Sequence, residues 1–175
     1  MPPVMVFTFV GADKPGLVEV LSKTVADHGG NWLESRMSEL SGQFAGIVKV
    51  QIDLESERSL RDALKSLTSQ DLSIVITSGN DDSKGSLGRG HLLTIIGNDR
   101  PGIVREVSSA LASRGINVFE MNTNVSSAPM SGSALFKAEA RIRVPAKLDL
   151  GELREEMNKL SNSLDVDIDI EESRS

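Results

Sequence analysis

The chain has no cysteine and no tyrosine, and aromatic residues fill 3% of its 175 positions, with one tryptophan. Without cysteine there is no thiol nucleophile, no disulfide and no thiolate metal site. With so few rings there is no platform for stacking bases. A basic face is also missing. Lys and Arg number 19 against 25 Asp and Glu, the formal net charge is −6, and the cations are scattered. A phosphate-binding surface needs them clustered, so direct nucleic-acid binding is disfavoured. No apolar run is long enough to span a bilayer. The opening MPPVMVFTFV lacks the basic start of a signal peptide. The expected setting is a reducing cytoplasm.

What is present is a repeat. FVGADKPGLV at 9–18 returns as IIGNDRPGIV at 95–104. An offset of 86 aligns Gly11 with Gly97, Asp13 with Asp99, Pro15 with Pro101, Gly16 with Gly102, Gly29 with Gly115 and Asn31 with Asn117. Further on, an offset of 90 sets Ile52 against Ile142, and four extra residues fall in SSAPMSGS at 126–133. Turn-rich loops tolerate such insertions. A self-similarity this long implies two copies of one structural unit.

Each copy reads the same way. VMVFTFV and HLLTIIG are short apolar runs with β-branched residues, the pattern of buried strands. Leu17, Val18, Leu21 and Val25, matched by Ile103, Val104, Val107 and Leu111, form one helical stripe. Pro15 and Pro101 suit the first helical position, and Gly29 and Gly115 suit a left-handed helix end. Strands follow near 31–40 and 44–53, and near 117–126 and 134–144. Leu60, Ala63, Leu64 and Leu67, and then Leu153, Met157 and Leu160 behind an Asp149-x-x-Glu152 cap, predict a second helix in each copy. LDVDIDI at 164–170 alternates as a half-buried strand. The fold class is therefore α+β: two ferredoxin-like βαββαβ units in tandem, with antiparallel sheets and helices on one face. Unit 1 spans 1–79 and unit 2 spans 90–175, joined by a Gly/Ser-rich linker at 80–89. The bare sheet faces or edges need cover, from the other unit or from a second chain.

The strand-to-helix turn places free N–H groups and the positive end of a helix dipole where an anion can meet them. Gly11 and Gly97 permit close backbone approach. Asn31 and Asn117, expected beside the first helix, supply a donor and an acceptor. A zwitterion needs both kinds of group. The bland alternative is that Asp-x-Pro-Gly only starts a helix.

The order strand, Gly-x-Asp-(Lys/Arg)-Pro-Gly-(Leu/Ile)-Val, helix, Gly-x-Asn resembles the ACT domain, a ligand-sensing regulatory module. Two copies filling the chain are similar to the glycine cleavage system transcriptional repressor family. The resemblance implies amino-acid binding between ACT units, with glycine the first candidate. Its residues would be Gly11, Ala12, Asp13, Pro15, Gly16, Leu17 and Asn31, and Gly97, Asn98, Asp99, Pro101, Gly102, Ile103 and Asn117. It also implies a non-enzymatic repressor that binds a DNA-binding activator rather than DNA, with glycine weakening that association. A homodimer is compatible with it. Ala12 against Asn98, and Gly30 against Ile116, suggest that the two sites differ.

Other constellations point to structure. Asp165, Asp167 and Asp169 alternate with large apolar residues, unlike a Ca²⁺ loop, and no metal or other cofactor is implied. His28 and His91 fall at unmatched positions. No nucleophile elbow and no phosphate-binding Gly-rich loop occur. Trp32 follows Asn31 and reads as packing beside the site. Glu120 to Ala134, with Asn122 and Asn124, reads as a polar hairpin or a recognition edge. Two rival functions stay open. One is a regulatory subunit of a separate enzyme of amino-acid metabolism. The other is acyl-phosphate hydrolysis, which needs an Arg–Asn pair cradling phosphate; none occurs at matched positions.

Overall fold

The computed structural model describes residues 3–69, 71–79, 88–127 and 132–172. The chain divides into two compact units, Met1–Ser83 and Lys84–Ser175. Unit 1 runs β1 (Val4–Ala12), α1 (Leu17–Asp27), β2 (Asn31–Leu40), β3 (Gln43–Gln51), α2 (Leu54–Ser66), β4 (Leu72–Ser78). Unit 2 repeats it as β5 (Gly88–Asn98), α3 (Ile103–Ser113), β6 (Asn117–Ser127), β7 (Ala134–Pro145), α4 (Leu150–Leu164), β8 (Val166–Glu172). Each unit has one antiparallel four-stranded sheet, ordered β2-β3-β1-β4 and β6-β7-β5-β8. This is the βαββαβ unit, twice.

Period-two alternation sends one side of each central strand inward. In β1, Met5, Phe7 and Phe9 are buried; in β5, His91, Leu93 and Ile95 are. The helices close over that side with Leu21, Val25, Leu60 and Leu64 in unit 1, and with Val107, Leu111, Leu153 and Met157 in unit 2. Each such side chain contributes about 2 kcal/mol of hydrophobic stabilisation. The first helices end alike. Gly29 and Gly115 are left-handed, with φ of 75° and 68°. Their N–H groups bond Ala26 O and Ala112 O, and the next N–H groups bond Val25 O and Leu111 O, the Schellman pattern. Asp149 caps α4 by accepting from Gly151 N–H at 2.7 Å.

Several expectations are corrected. Pro15 and Pro101 do not open the helices: Gly16 and Gly102 are left-handed, so the helices start two residues after the prolines, at Leu17 and Ile103. Val18 and Val104 are exposed, because residues one apart on a helix point about 100° apart and the stripe follows their neighbours. Leu164 and Asp165 belong to the end of α4, and β8 begins at Val166. Gly88 and Arg89 are not linker: they pair with Pro145 and Val144, because β7 extends far enough to bind them. Residues 80–87 of the expected linker, and 128–131 of the expected insertion, lie outside the described residues. The insertion itself is larger than four residues. Val6 pairs with Lys49 and Leu92 with Arg141, so the offset in β3 and β7 is 92, and Val50 rather than Ile52 matches Ile142. Unit 1 closes this hairpin with two residues of positive φ, Ser41 and Gly42, a tight turn.

Close approach also shapes the edge of unit 2. A Cβ on Gly97 would lie 2.8 Å from Val166 Cα, in the neighbouring strand. Gly97→Ala is therefore expected to part β5 from β8 and to cost unit 2 at least about 2 kcal/mol, read by urea unfolding. His91 stands where unit 1 has Met5. It is 1% exposed, its Nδ1 lies 3.1 Å from Arg89 O, and its Nε2 has no partner among the described residues. An unmet buried polar atom costs about 1–3 kcal/mol. His91→Met is expected to recover about 1 kcal/mol of that, seen as a higher urea midpoint; a lower midpoint would show that Nε2 does have a partner.

Candidate functional site

The candidate residues fall into two groups. One is the turn between β1 and α1, with its copy between β5 and α3. Asp13 N–H donates to Gly42 O at 2.9 Å and Ala12 N–H donates to Asp71 O at 3.2 Å. These bonds tie the turn to the β2–β3 hairpin and to the start of β4. In unit 2, Asp99 N–H donates to Ala134 O at 2.8 Å. Gly16 and Gly102 then turn left-handed, with φ of 91° and 101°. They precede the helices without any side-chain cap. Among the described residues the first-turn N–H groups of α1 and α3 thus have no side-chain acceptor, and each helix presents the positive end of its dipole.

A cavity of about 400 Å³ borders this turn in unit 1. It brings together Ala12, Pro15, Gly16 and Leu17 from the expected set. It adds Lys14, Glu19 and Asp71, which the set did not contain. Lys14 Nζ lies 3.0 Å from Asp71 Oδ2, both largely exposed. In unit 2 the matched Arg100 donates to Ser163 O at 3.1 Å. The basic residue at this position was visible in both copies of the motif. Asp71 was not, because it arrives from the α2–β4 loop. Chemically the turn offers backbone donors and a movable ammonium, the groups that hold a carboxylate. Glu19 and Glu106 in the first helical turn oppose that and limit how much negative charge it attracts.

Not every expected residue faces that cavity. A Cβ on Gly11 would lie 2.7 Å from Asp71 O. Gly11 and Gly97 therefore admit the neighbouring strand, not a ligand. Ile103 is 2% exposed and packs in the core of unit 2. Leu17 both lines the cavity and packs against the core of unit 1. Asp13 is exposed, and so are Asn98, Asp99 and Pro101 at the copy of the turn.

Asn31 and Asn117 form the other group, and the structure does not bring them to the turn of their own unit. Asn31 pairs with Gln51, which also pairs with Val4 at the start of β1. Gly11 and Ala12 lie at the opposite end of that strand. Nine residues at about 3.3 Å each put the ends of β1 roughly 25 Å apart. The reason is topological: α1 runs back along the sheet, so the strand after it begins where β1 began. Trp32 lies at this far end too, edge-to-face with Phe7 at 6.1 Å between centroids. It packs on the core rather than beside the turn. His28 Nδ1 lies 2.9 Å from Thr24 O at the end of α1. Asp167 and Asp169 line the wet side of β8. Asn122 and Asn124 border an open cavity of about 260 Å³ with Thr123, Lys137 and Glu139.

The comparisons agree with this architecture. ACT-domain models match residues 4–77 and 91–162. The UPF0237 protein MK1213 of Methanopyrus kandleri is 35% identical over 78 residues, 44% of this chain and 80% of that protein. A solved structure of an unknown protein from Galdieria sulphuraria superposes with a TM-score of 0.88 and 29% identity, over 99% of this chain and 100% of that one. A candidate glycine cleavage system transcriptional repressor superposes with a TM-score of 0.74 and 19% identity, over 100% of this chain and 99% of that one. With two matched domains in tandem, each built on the same βαββαβ sheet and turn, the chain belongs to the ACT-domain family.

Proposed function

We propose that the protein is a non-enzymatic sensor of a small amino acid, glycine first among candidates, and that it regulates by binding a protein. The observation that carries this reading is the duplicated turn: two left-handed glycines before two helices that no side chain caps, with a cation at the same place in each copy. A carboxylate has donors there and a positive dipole. The full-length likeness in fold to a candidate glycine cleavage system transcriptional repressor is compatible with a regulatory role. The partner would be a DNA-binding activator, since the acidic chain lacks a basic face for DNA. Neither histidine is posed as a general base: His91 is buried and His28 faces a backbone carbonyl.

In this reading the ligand's carboxylate sits at the turn of Ala12 to Gly16, and its copy at Asn98 to Gly102. Asn31 and Asn117 do not reach such a ligand from the unit that holds its turn; unless a different unit brings them there, they act in the sheet alone. Regulation requires that ligand favour one conformation or assembly over another. The alternative partner is an enzyme of amino-acid metabolism, with the chain as its regulatory subunit.

Titration calorimetry with glycine, then with a panel of other amino acids, is the test. Saturable binding is expected, and Lys14→Ala is expected to weaken it in unit 1 by about tenfold through loss of one charge-assisted contact. Trp32 fluorescence separates the two placements. A ligand held by the turn alone leaves it unchanged, whereas one that also engages Asn31 shifts it and is weakened by Asn31→Ala. If no amino acid binds, the turn only starts a helix and the sensor reading is wrong. Pull-down from extract, with and without glycine, then distinguishes an activator from an enzyme.

A further inference from the structure

Helices cover one side of each sheet, and the other sides of the two units have diverged in chemistry. The outward residues of unit 1 line up across the strands by register. Val75, Thr8 and Ile47 form one row, flanked by Val10 beside Ala45 and by Val6. Val10, Ile47 and Val75 are 45%, 47% and 58% exposed. A concavity of about 480 Å³ opens over these residues. Charge is confined to one side: Glu34 and Arg36 on edge strand β2, 3.1 Å apart, and Lys49 between them and Val6. The matched rows of unit 2 read Asp169, Thr94, Glu139 and Asp167, Ile96, Lys137. Its β5 centre is thus hemmed by carboxylates on β8 and by the Lys137–Glu139 pair, 3.0 Å apart, on β7.

We propose that the bare sheet face of unit 1, centred on Thr8, is a self-association surface that packs against the same face of a second copy of this chain. The contrast between the units selects the occupant. Placing Ile47 and Val75 against the face of unit 2 would strip water from Asp167, Asp169 and Glu139 without giving them partners, which is costly. The same face on a second copy brings only apolar and hydroxyl groups to the centre. Two twisted sheets packed face to face at about 30° leave their edges nearest to water, and Arg36, which pairs with Ile47 and borders the concavity, carries Glu34 as its partner 3.1 Å away. A two-fold contact of this kind is self-complementary by construction.

The absence of cysteine makes the proposal directly testable in the full chain. Thr8→Cys and Thr94→Cys place one thiol at matched central positions of the two faces. With a short bismaleimide, Thr8→Cys is expected to give a covalent dimer on denaturing gels and Thr94→Cys to remain monomeric. Sedimentation equilibrium is expected to show a wild-type dimer that Ile47→Glu weakens by about 100-fold or more, the scale of a charge forced against apolar surface. Circular dichroism checks that the variant is folded, as its exposed site predicts. A wild-type chain that stays monomeric would overturn the proposal, and so would Thr94→Cys cross-linking as well as Thr8→Cys. A dimer indifferent to Ile47→Glu would overturn it equally, placing the contact elsewhere.

Discussion

The one-sidedness of each sheet is the constraint on which the rest depends. Both helices of a unit follow strands that must be joined antiparallel in the order β2-β3-β1-β4, and both therefore land on the same face. That face becomes the core, with Phe7 and Phe9 or Leu93 and Ile95 at its centre. The opposite face has no element of its own unit to cover it. Everything functional is then pushed to two places, the loop ends of the sheet and its bare side.

At the loop end, one backbone conformation decides what the turn can do. A left-handed residue at position 16 or 102 holds off the helix until Leu17 or Ile103, two residues after the proline. The usual capping residue at that point carries an oxygen that occupies the first free N–H groups. Glycine carries none. The same glycine that makes the turn sterically possible therefore leaves its donors open, and two copies have kept it. Aspartate at 13 and 99 takes no part in capping; its N–H instead fastens the turn to the neighbouring hairpin.

Much of this was legible in the sequence. The offset of 86 and the two apolar periods were enough for the element order and the strand pairing class, and Gly29 and Gly115 marked the left-handed ends of the first helices. What escaped has a physical pattern. An offset of 90 and one of 92 differ by two, the side-chain period of a strand. Either places apolar residues inward, so only hydrogen-bond register could tell Ile52 from Val50 as the partner position. The separation of Asn31 from the turn escaped for a related reason: the motif lists them twenty residues apart, but direction reverses along α1, and spacing alone does not carry direction. Asp71 escaped because an ion pair with Lys14 spans 57 residues.

The two copies agree where folding demands it and part where it does not. Inward positions of the central strands are apolar in both, except that Met5 became His91 at the end of the core. The turn glycines are the same in both. On the bare faces, by contrast, Ile47 is matched by Glu139 and Val75 by Asp169, as the shared registers with Thr8 and Thr94 establish. Those positions contribute nothing to the core of either unit, so selection on fold leaves them free. An apolar residue held there in water adds to the hazard of aggregation, whereas a carboxylate removes it. Unit 2 carries the safe solution and unit 1 does not. A surface that keeps Val10, Ile47 and Val75 together, while its duplicate has been charged, is one whose apolar character has a use outside its own fold.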